Sequence, residues 1–417
     1  VLGRPRLYTS YQAEAAIFPT WTQRIALVVL LLVAVLLPFS LPVINQLPII
    51  RFLGDPDWIR LLTQAVIFAI AALGINLLSG VAGQVSLGHA FFMGVGAYTA
   101  VVLGGQSSEN LWGLGLPIWI WLPGAAVGAA LVGIIVSPCA VRLRGLYLGI
   151  VTVGLVFIGI HLSKVFPEIS GGAEVGREFP PLQLKLWKEQ DPIIDFSTDG
   201  HWLWFDISAN AKTYLFCLAL LVVATVLAKN VIRTRTGRAL QAIRDRDVAA
   251  EVMGIHEAKY KLIAFAGSSA FAGVAGALFA SFVGKLPPET WDLILSVEFI
   301  AILLIGGAGT TAGVLIGALF VVMSPRFVED IAGWMGGQAD NGNVFAKVWD
   351  LVISTGPGDF GFISTADVAP GFPLPVSKLD ELIYGTLIVV FLLFEPLGLY
   401  GIWIKIRNYW KGWPFSY

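Results

Sequence analysis

The chain has 417 residues, of which 56% are hydrophobic and only 13% charged. Soluble domains carry about 25% charged residues, so a soluble fold of this size would lack the charge to cover its surface, and lipid is the solvent this composition fits. The net charge of −1 excludes the broad basic field of a nucleic-acid binder. Cys139 and Cys217 form no CxxC or Cys/His cluster that would suggest a metal site. The predicted topology sets them near opposite membrane faces, which argues against a mutual disulfide.

A bilayer core about 30 Å thick needs roughly 20 apolar residues per spanning helix. In chain order the apolar segments are 25–47, 61–79, 84–104, 117–137, 146–166, 214–228, 261–284, 292–306, 311–324 and 380–397. The first, Ile25 to Leu37, runs into Pro38 and Pro42 without a small-residue cleavage site, so it reads as a membrane helix and not a cleaved signal. The expectation is an all-α, polytopic membrane bundle of about ten helices. Segments eight and nine meet at Gly306-Gly307-Ala308-Gly309. A continuous helix through that run is the alternative, and it would remove one crossing.

Lysine and arginine placement orients the chain. With the N-terminus inside, the inner segments hold most of the basic residues, among them Arg142, Arg144, Arg238, Arg244 and Arg246. The N-terminal segment 1–24, the loop at 229–260 and the tail 398–417 are then cytoplasmic, flanking and interrupting a transmembrane unit over 25–397. The long loops 167–213 and 325–379 face outside, the first acid-rich and suited to a small cap of strands. Trp58, Trp112, Trp119, Trp121, Trp291 and Trp403 lie near segment ends, as interfacial anchors do.

Three stretches carry polar chemistry. Between two membrane segments lies LSGVAGQVSLGHA at 78–90. Polar groups in lipid must be hydrogen-bonded or face a cavity, so Gln84, Ser86 and His89 belong inside the protein, where backbone loosened by Gly83 and Gly88 lines a path. Taken alone, His89 reads first as satisfying a buried carbonyl; it is the stretch as a whole that reads as path-lining. The second stretch, 236–255, sets Leu240, Ile243, Val248, Val252 and Ile255 at helical spacings among charges. Asp247 suits an N-cap for a short helix 248–253, and Gly254 suits its left-handed stop. Ala249 and Ala250 give that helix a small-residue face for docking, the alternative being a solvated positive-inside loop. In the third stretch, 296–313, Glu298 is a carboxylate at membrane depth that is either a path residue or a hydrogen-bond partner. Gly306, Gly307 and Gly309 follow it and allow helix ends to meet.

Taken together, GQVSLGHAFFMGVGAYTA at 83–100, GRALQAIRDRDVAAEVMGI at 237–255 and GGAGTTAGVLIGALF at 306–320 resemble the LivM-type permease subunit of the branched-chain amino acid ABC importers. The likeness spans about 60–325 and resumes at 380–397. It implies a permease in the bacterial cytoplasmic membrane with both termini inside. It also implies a second, related permease, two ATPase subunits and an external substrate-binding protein as partners, with alternating access as the mechanism. Arg238, Ala249, Ala250, Glu251 and Gly254 would then belong to the coupling element seated on an ATPase. The chain has no GxxxxGK[ST] phosphate loop, so ATP and Mg belong to the partner subunits, and this chain is expected to hold no cofactor and to catalyse no covalent chemistry. Competing readings are a urea or short-amide importer, an ion-coupled transporter using Glu298 and His89 as a relay, and a non-transporting scaffold.

Overall fold

In the computed structural model the described residues are 21–39, most of 56–339, short stretches between 353 and 395, and 397–412. Helix α1 covers Trp21–Leu36, and α2 covers Pro56–Ile75 and runs on into a π-helical turn at Asn76–Val81. After an irregular stretch come α3 (His89–Gly104), α4 (Ile118–Arg142), α5 (Leu146–Val165) and α6 (Ala209–Arg233). Two shorter helices follow, α7 (Arg235–Asp245) and α8 (Asp247–Val252), then α9 (Glu257–Val283), α10 (Leu293–Gly306), α11 (Thr311–Ala339) and α12 (Gly398–Gly412). Among the described residues six helices are long and apolar enough to cross a membrane, and Arg24–Leu36, His89–Gly104 and Leu293–Gly306 are shorter apolar helices. These account for nine of the ten predicted segments. The tenth, 380–397, lies partly outside the described residues.

Several boundaries differ from the hydropathy reading, each for a physical reason. Segment 84–104 is helical only from His89, because Gly83 has φ 69° and the chain stays irregular to Gly88. Segment 214–228 lengthens to a full span because Ser208 caps it, its Oγ accepting from the Ala211 N–H. Segment 311–324 does not stop at Pro325 but continues to Ala339, so the predicted outer loop 325–379 begins as helix. Proline removes the N–H that would serve the carbonyl four residues back. Here the Ser324 hydroxyl donates to that carbonyl, Val321 O, at 3.0 Å. The same device recurs in α4, where Ser137 donates to Ile134 O at 2.8 Å ahead of Pro138. In lipid such internal satisfaction is what lets a proline sit within a span.

The core is built from α2, α3, α4 and α9, joined by close backbone approach. A Cβ on Gly96 would lie 2.2 Å from the Gly273 Cα, and one on Gly276 would lie 2.0 Å from the Met93 carbonyl oxygen. Small residues at crossings let dispersion act where apolar burial drives nothing, since lipid is as apolar as leucine. Aromatic side chains fill the space around them: Phe68 meets Phe279 and Phe299 at ring-centroid distances of 5.3 and 5.1 Å. Trp58, Trp121 and Trp291 are buried in this core, so only Trp112, Trp119 and Trp403 of the six predicted anchors are exposed.

Helices α10 and α11 are separated by a true break. Gly307 has φ 115° and Gly309 φ 81°, which ends the first helix, and Gly317 of the second packs its backbone against Ile302 O of the first. The continuous-helix alternative through the glycine run is therefore excluded. At the opposite end of the bundle, loop 167–213 forms short antiparallel ladders, pairing Arg177–Glu178 with Lys285–Leu286 and Gln183–Leu184 with Ile194–Asp195. Arg177 is buried there and ties the loops together, donating to Gln106 O at 3.2 Å and to Glu168 O and Ile169 O at 3.5 Å.

Candidate functional site

The three polar stretches of the sequence converge at one end of the bundle. Asn76 opens the π-helical turn, fully buried, and its Oδ1 accepts from the Gly309 N–H at 2.8 Å. The turn leaves the Gly80 carbonyl directed toward α7, where Arg244 Nη1 donates to it at 2.7 Å. The Arg244 stem packs on Gly83, at which a Cβ would sit 2.4 Å from Arg244 Cγ, and its guanidinium reaches the Gly309 backbone. One arginine thus joins the loop after α2, the loop after α10 and the helix α7. Neither Gly83 nor Gly309 tolerates a side chain there, since both also carry positive φ.

Beyond Gly83 the chain runs irregularly between helices, and several of its backbone and side-chain polar groups are met by partners. Leu87 N–H donates to Thr152 Oγ1 at 2.9 Å, and Ala90 N–H to Ser296 Oγ at 3.1 Å. Gly88 brings its backbone against Thr152 O, where a Cβ would stand at 2.6 Å. Ser86 is buried, its Oγ within 3.4 Å of the Gly88 N–H. His89 Nε2 lies 2.8 Å from Ala71 O, and because a carbonyl only accepts, that nitrogen carries the proton. The ring is edge-on to Phe299 at 5.2 Å. His89 therefore pins α3 to α2, the carbonyl-satisfying alternative of the sequence reading. Glu298 is half-buried on α10 next to Phe299, and it is not among the residues lining the cavity beside Gln84.

Gln84 differs from its neighbours. It is 5% exposed, yet neither side-chain atom has a hydrogen-bond partner. It lines a cavity together with Arg244, Arg246, Glu257 and Lys261. Lys261, itself buried, is ion-paired with Glu257 at 2.5 Å and donates to Ala140 O at 3.2 Å.

Helix α8 is short and closes with paired hydrogen bonds: Gly254 N–H to Glu251 O at 2.9 Å and Ile255 N–H to Ala250 O at 3.0 Å. With Gly254 at φ 84° this is a Schellman motif, as the glycine predicts. Asp247 is not the N-cap: it is the first helical residue, and its carboxylate accepts from the next N–H, that of Val248. The expected docking face also changes. Ala250 is buried against the bundle, while Ala249 and Glu251 face outward with Val248, Val252 and Met253, which are 64%, 82% and 81% exposed. Arg238 is exposed on α7, whose apolar residues Leu240 and Ile243 are buried. The mixed apolar period of 240–255 thus belongs to two helices with opposite tasks.

Sequence reasoning missed Asn76, the Glu257–Lys261 pair and the Val248–Met253 face. A lone Asn in an apolar span and an acid-base pair four residues apart on a helix were the available clues. Apolar residues with no inward partner cannot be told from core by spacing alone.

These features define a polytopic helical membrane protein of the permease class, with glycine-broken helices lined by polar backbone and a short helix standing clear of the bundle. The family profile described as "Branched-chain amino acid transport system / permease component" matches residues 58–355. The chain belongs to that family. It is 31% identical over 323 residues to the high-affinity branched-chain amino acid transport system permease protein LivM of Escherichia coli (strain K12), covering 75% of this chain and 70% of the relative. It is 27% identical over 307 residues to the probable branched-chain amino acid transport permease protein LivH of Methanocaldococcus jannaschii, covering 70% and 87%. A shorter likeness, 31% over 143 residues, covers 30% of this chain and 41% of the autoinducer 2 import system permease protein LsrC of Photorhabdus laumondii. No solved structure matches the chain.

Proposed function

We propose that this chain is one of two related permeases that together form the translocation path of an ATP-driven importer for branched-chain amino acids. Two ATPase subunits hydrolyse ATP, with its Mg, and an external binding protein delivers cargo. The termini and α7–α8 lie on the cytoplasmic side of a bacterial inner membrane, and the Arg177-clamped loops lie outside. Helix α8 is the coupling element.

The observation that carries this reading is the exposed strip Val248, Val252 and Met253 on a capped helix. It is joined through Arg244 to both helix breaks. Apolar residues so exposed outside the span are stabilised by a partner's groove. A push on α8 is delivered through Arg244 to the backbones of Gly80, in the π-helical turn that ends α2, and Gly309, in the break between α10 and α11, where the chain can hinge. Gln84 lines the path where it opens beside those hinges, with Ser86 beyond it. Glu298 is assigned to the path on its depth and polarity. The bond from His89 to Ala71 O supports a positioning role over a proton relay.

Val252→Asp replaces a docking apolar group with a charge and leaves the bundle untouched. In the reconstituted complex, substrate-stimulated ATP hydrolysis and leucine uptake should both fall by about tenfold or more, as for loss of an interface hot spot. Gly254→Val should do the same through backbone strain of roughly 1–2 kcal/mol, since open space surrounds that position. Normal uptake in both variants would leave α7–α8 as a positively charged anchor only.

A further inference from the structure

Outside the predicted spans, α8 and α12 each present an exposed apolar strip, and the two differ in charge. The chain enters α12 through a turn at Gly398, which has φ 61° and whose N–H donates to Glu395 O at 2.7 Å. That turn is lodged against the break between α10 and α11: a Cβ on Gly398 would stand 2.5 Å from Ile305 O and 2.7 Å from the Gly307 nitrogen. Lys405, from within α12, pairs with Glu395 and closes the turn. Helix α12 is therefore fixed at its start, and it leaves one flank exposed.

The flank is patterned. At about 100° per residue, Ile402, Ile406 and Tyr409 share one side of the helix, with Trp403 at its edge. All four are exposed, Trp403 to 55% and Ile406 to 46%. Lys405 and Arg407 border the strip on either side, and Asn408 lies opposite Ile406. The Lys405 side chain stays 69% exposed despite its pair with Glu395. The sequence 398–417 holds Lys405, Arg407 and Lys411 and no acidic residue. On α8, by contrast, Asp247 and Glu251 accompany the apolar strip, and no basic residue does. Helix α12 also follows directly on a predicted membrane segment, whose end residues Leu393, Phe394 and Leu397 are exposed. Aliphatic and aromatic side chains bordered by cations suit a helix lying in the headgroup plane, its apolar side toward the acyl chains and its cations on anionic lipid.

We infer that α12 is a binding surface for anionic phospholipid headgroups and lies along one face of the membrane. The assignment does not depend on the cargo or on the ATPases. Because the first turn of α12 is packed on Ile305 and Gly307, the same contact fixes the depth of the α10–α11 break in the bilayer.

The test places the full-length chain, with the subunits that co-purify with it, in nanodiscs of phosphatidylcholine alone or mixed with phosphatidylglycerol. Cys139→Ser removes the exposed thiol and leaves Cys217, which is buried. A spin label is attached at Ile406→Cys or at Asn408→Cys, and its collisions with oxygen and with a water-soluble nickel chelate are compared. In the mixed discs the label at 406 should meet oxygen more than the chelate, and the label at 408 the reverse. Each basic residue is favoured about fivefold at an anionic surface, so Lys405→Gln with Arg407→Gln should lower the ratio of inserted to free label at 406 by about twenty-five-fold in mixed discs. In phosphatidylcholine alone the two substitutions should change nothing. A label at 406 as open to the chelate as the label at 408 overturns the assignment. So does a label at 406 shielded from both reagents, which marks a protein groove. An oxygen preference indifferent to lipid charge and to the two substitutions also overturns it, since the contact is then apolar only.

Discussion

Helix α2 with its π turn and helix α5 are near equals in composition and opposites in placement. Apolar 18-residue stretches of the spans Asp57–Val81 and Leu146–Val165 have mean hydropathies of 2.1 and 2.0, yet 89% of the first stretch is buried within the protein and only 28% of the second. In water the more buried helix would be the more apolar. In lipid hydropathy places a helix in the membrane and says nothing of its neighbours. What distinguishes the two is a set of small and polar residues. Helix α2 has Gly74 against Ser268 O and Asn76 bonded to Gly309. Helix α5 has Gly154 facing open space and presents Ile150, Phe157 and Ile158 outward.

The largest effect that would break this contrast comes from glycine at a core crossing. Gly276→Leu must push a side chain into the Met93 backbone, 2.0 Å from the added Cβ, a clash costing at least about 1–3 kcal/mol. Gly154→Leu meets nothing and should change stability by less than about 0.5 kcal/mol. Size-exclusion profiles and thermal melts of the two variants should therefore separate clearly. If both behave alike, glycine packing is not what orders the bundle.

A smaller effect sharpens the polar half of the comparison. Asn76→Leu keeps the span apolar but strands the Gly309 N–H, at a cost of about 1–3 kcal/mol. Its melt should drop, while Ile150→Ala on the exposed face of α5 should not. An unchanged melt for Asn76→Leu would mean that water replaces the amide.

The smallest effect lies outside the membrane. Burial raises the Asp195 carboxyl, but hydrogen bonds from Ser197 and Gln183 and the charge of Lys212 outweigh it, leaving it below its ordinary value of 3.8. A carboxyl lowered on folding stabilises the cap above that value and loses its contribution as pH falls through the folded value. Amide exchange around 183–195 should be flat from pH 7 to 5, once corrected for intrinsic rates, and accelerate below about pH 4. Asp195→Asn should show the faster exchange at neutral pH. Identical exchange in the variant would remove Asp195 from the account of the cap.

Much of this was legible from residues whose chemistry is local. Gly254 announced a left-handed helix stop, and the Gly306–Gly309 run announced a break, because backbone freedom is a property of the residue itself. The polar stretch 78–90 announced interior irregular backbone because lipid offers it no hydrogen bonds. What was not legible depends on partners far along the chain. Ala250 looked like a docking residue until the fold turned it inward, and Trp58, Trp121 and Trp291 looked like interface anchors but pack in the core. Pro325 looked like an end because nothing in the local pattern says that Ser324 will take up the freed carbonyl.

The π-helical turn at Asn76–Val81 has one more consequence, for insertions and deletions. Such a turn holds one residue more than the α-helix it interrupts, and each α-helical residue advances the chain by about 100°. Deleting a single residue between 76 and 81 would let the helix relax to ordinary geometry and span the bilayer as before. The Gly80 carbonyl would then swing away from Arg244. Related chains that lack the extra residue should therefore place a different side chain, or none, where Arg244 stands.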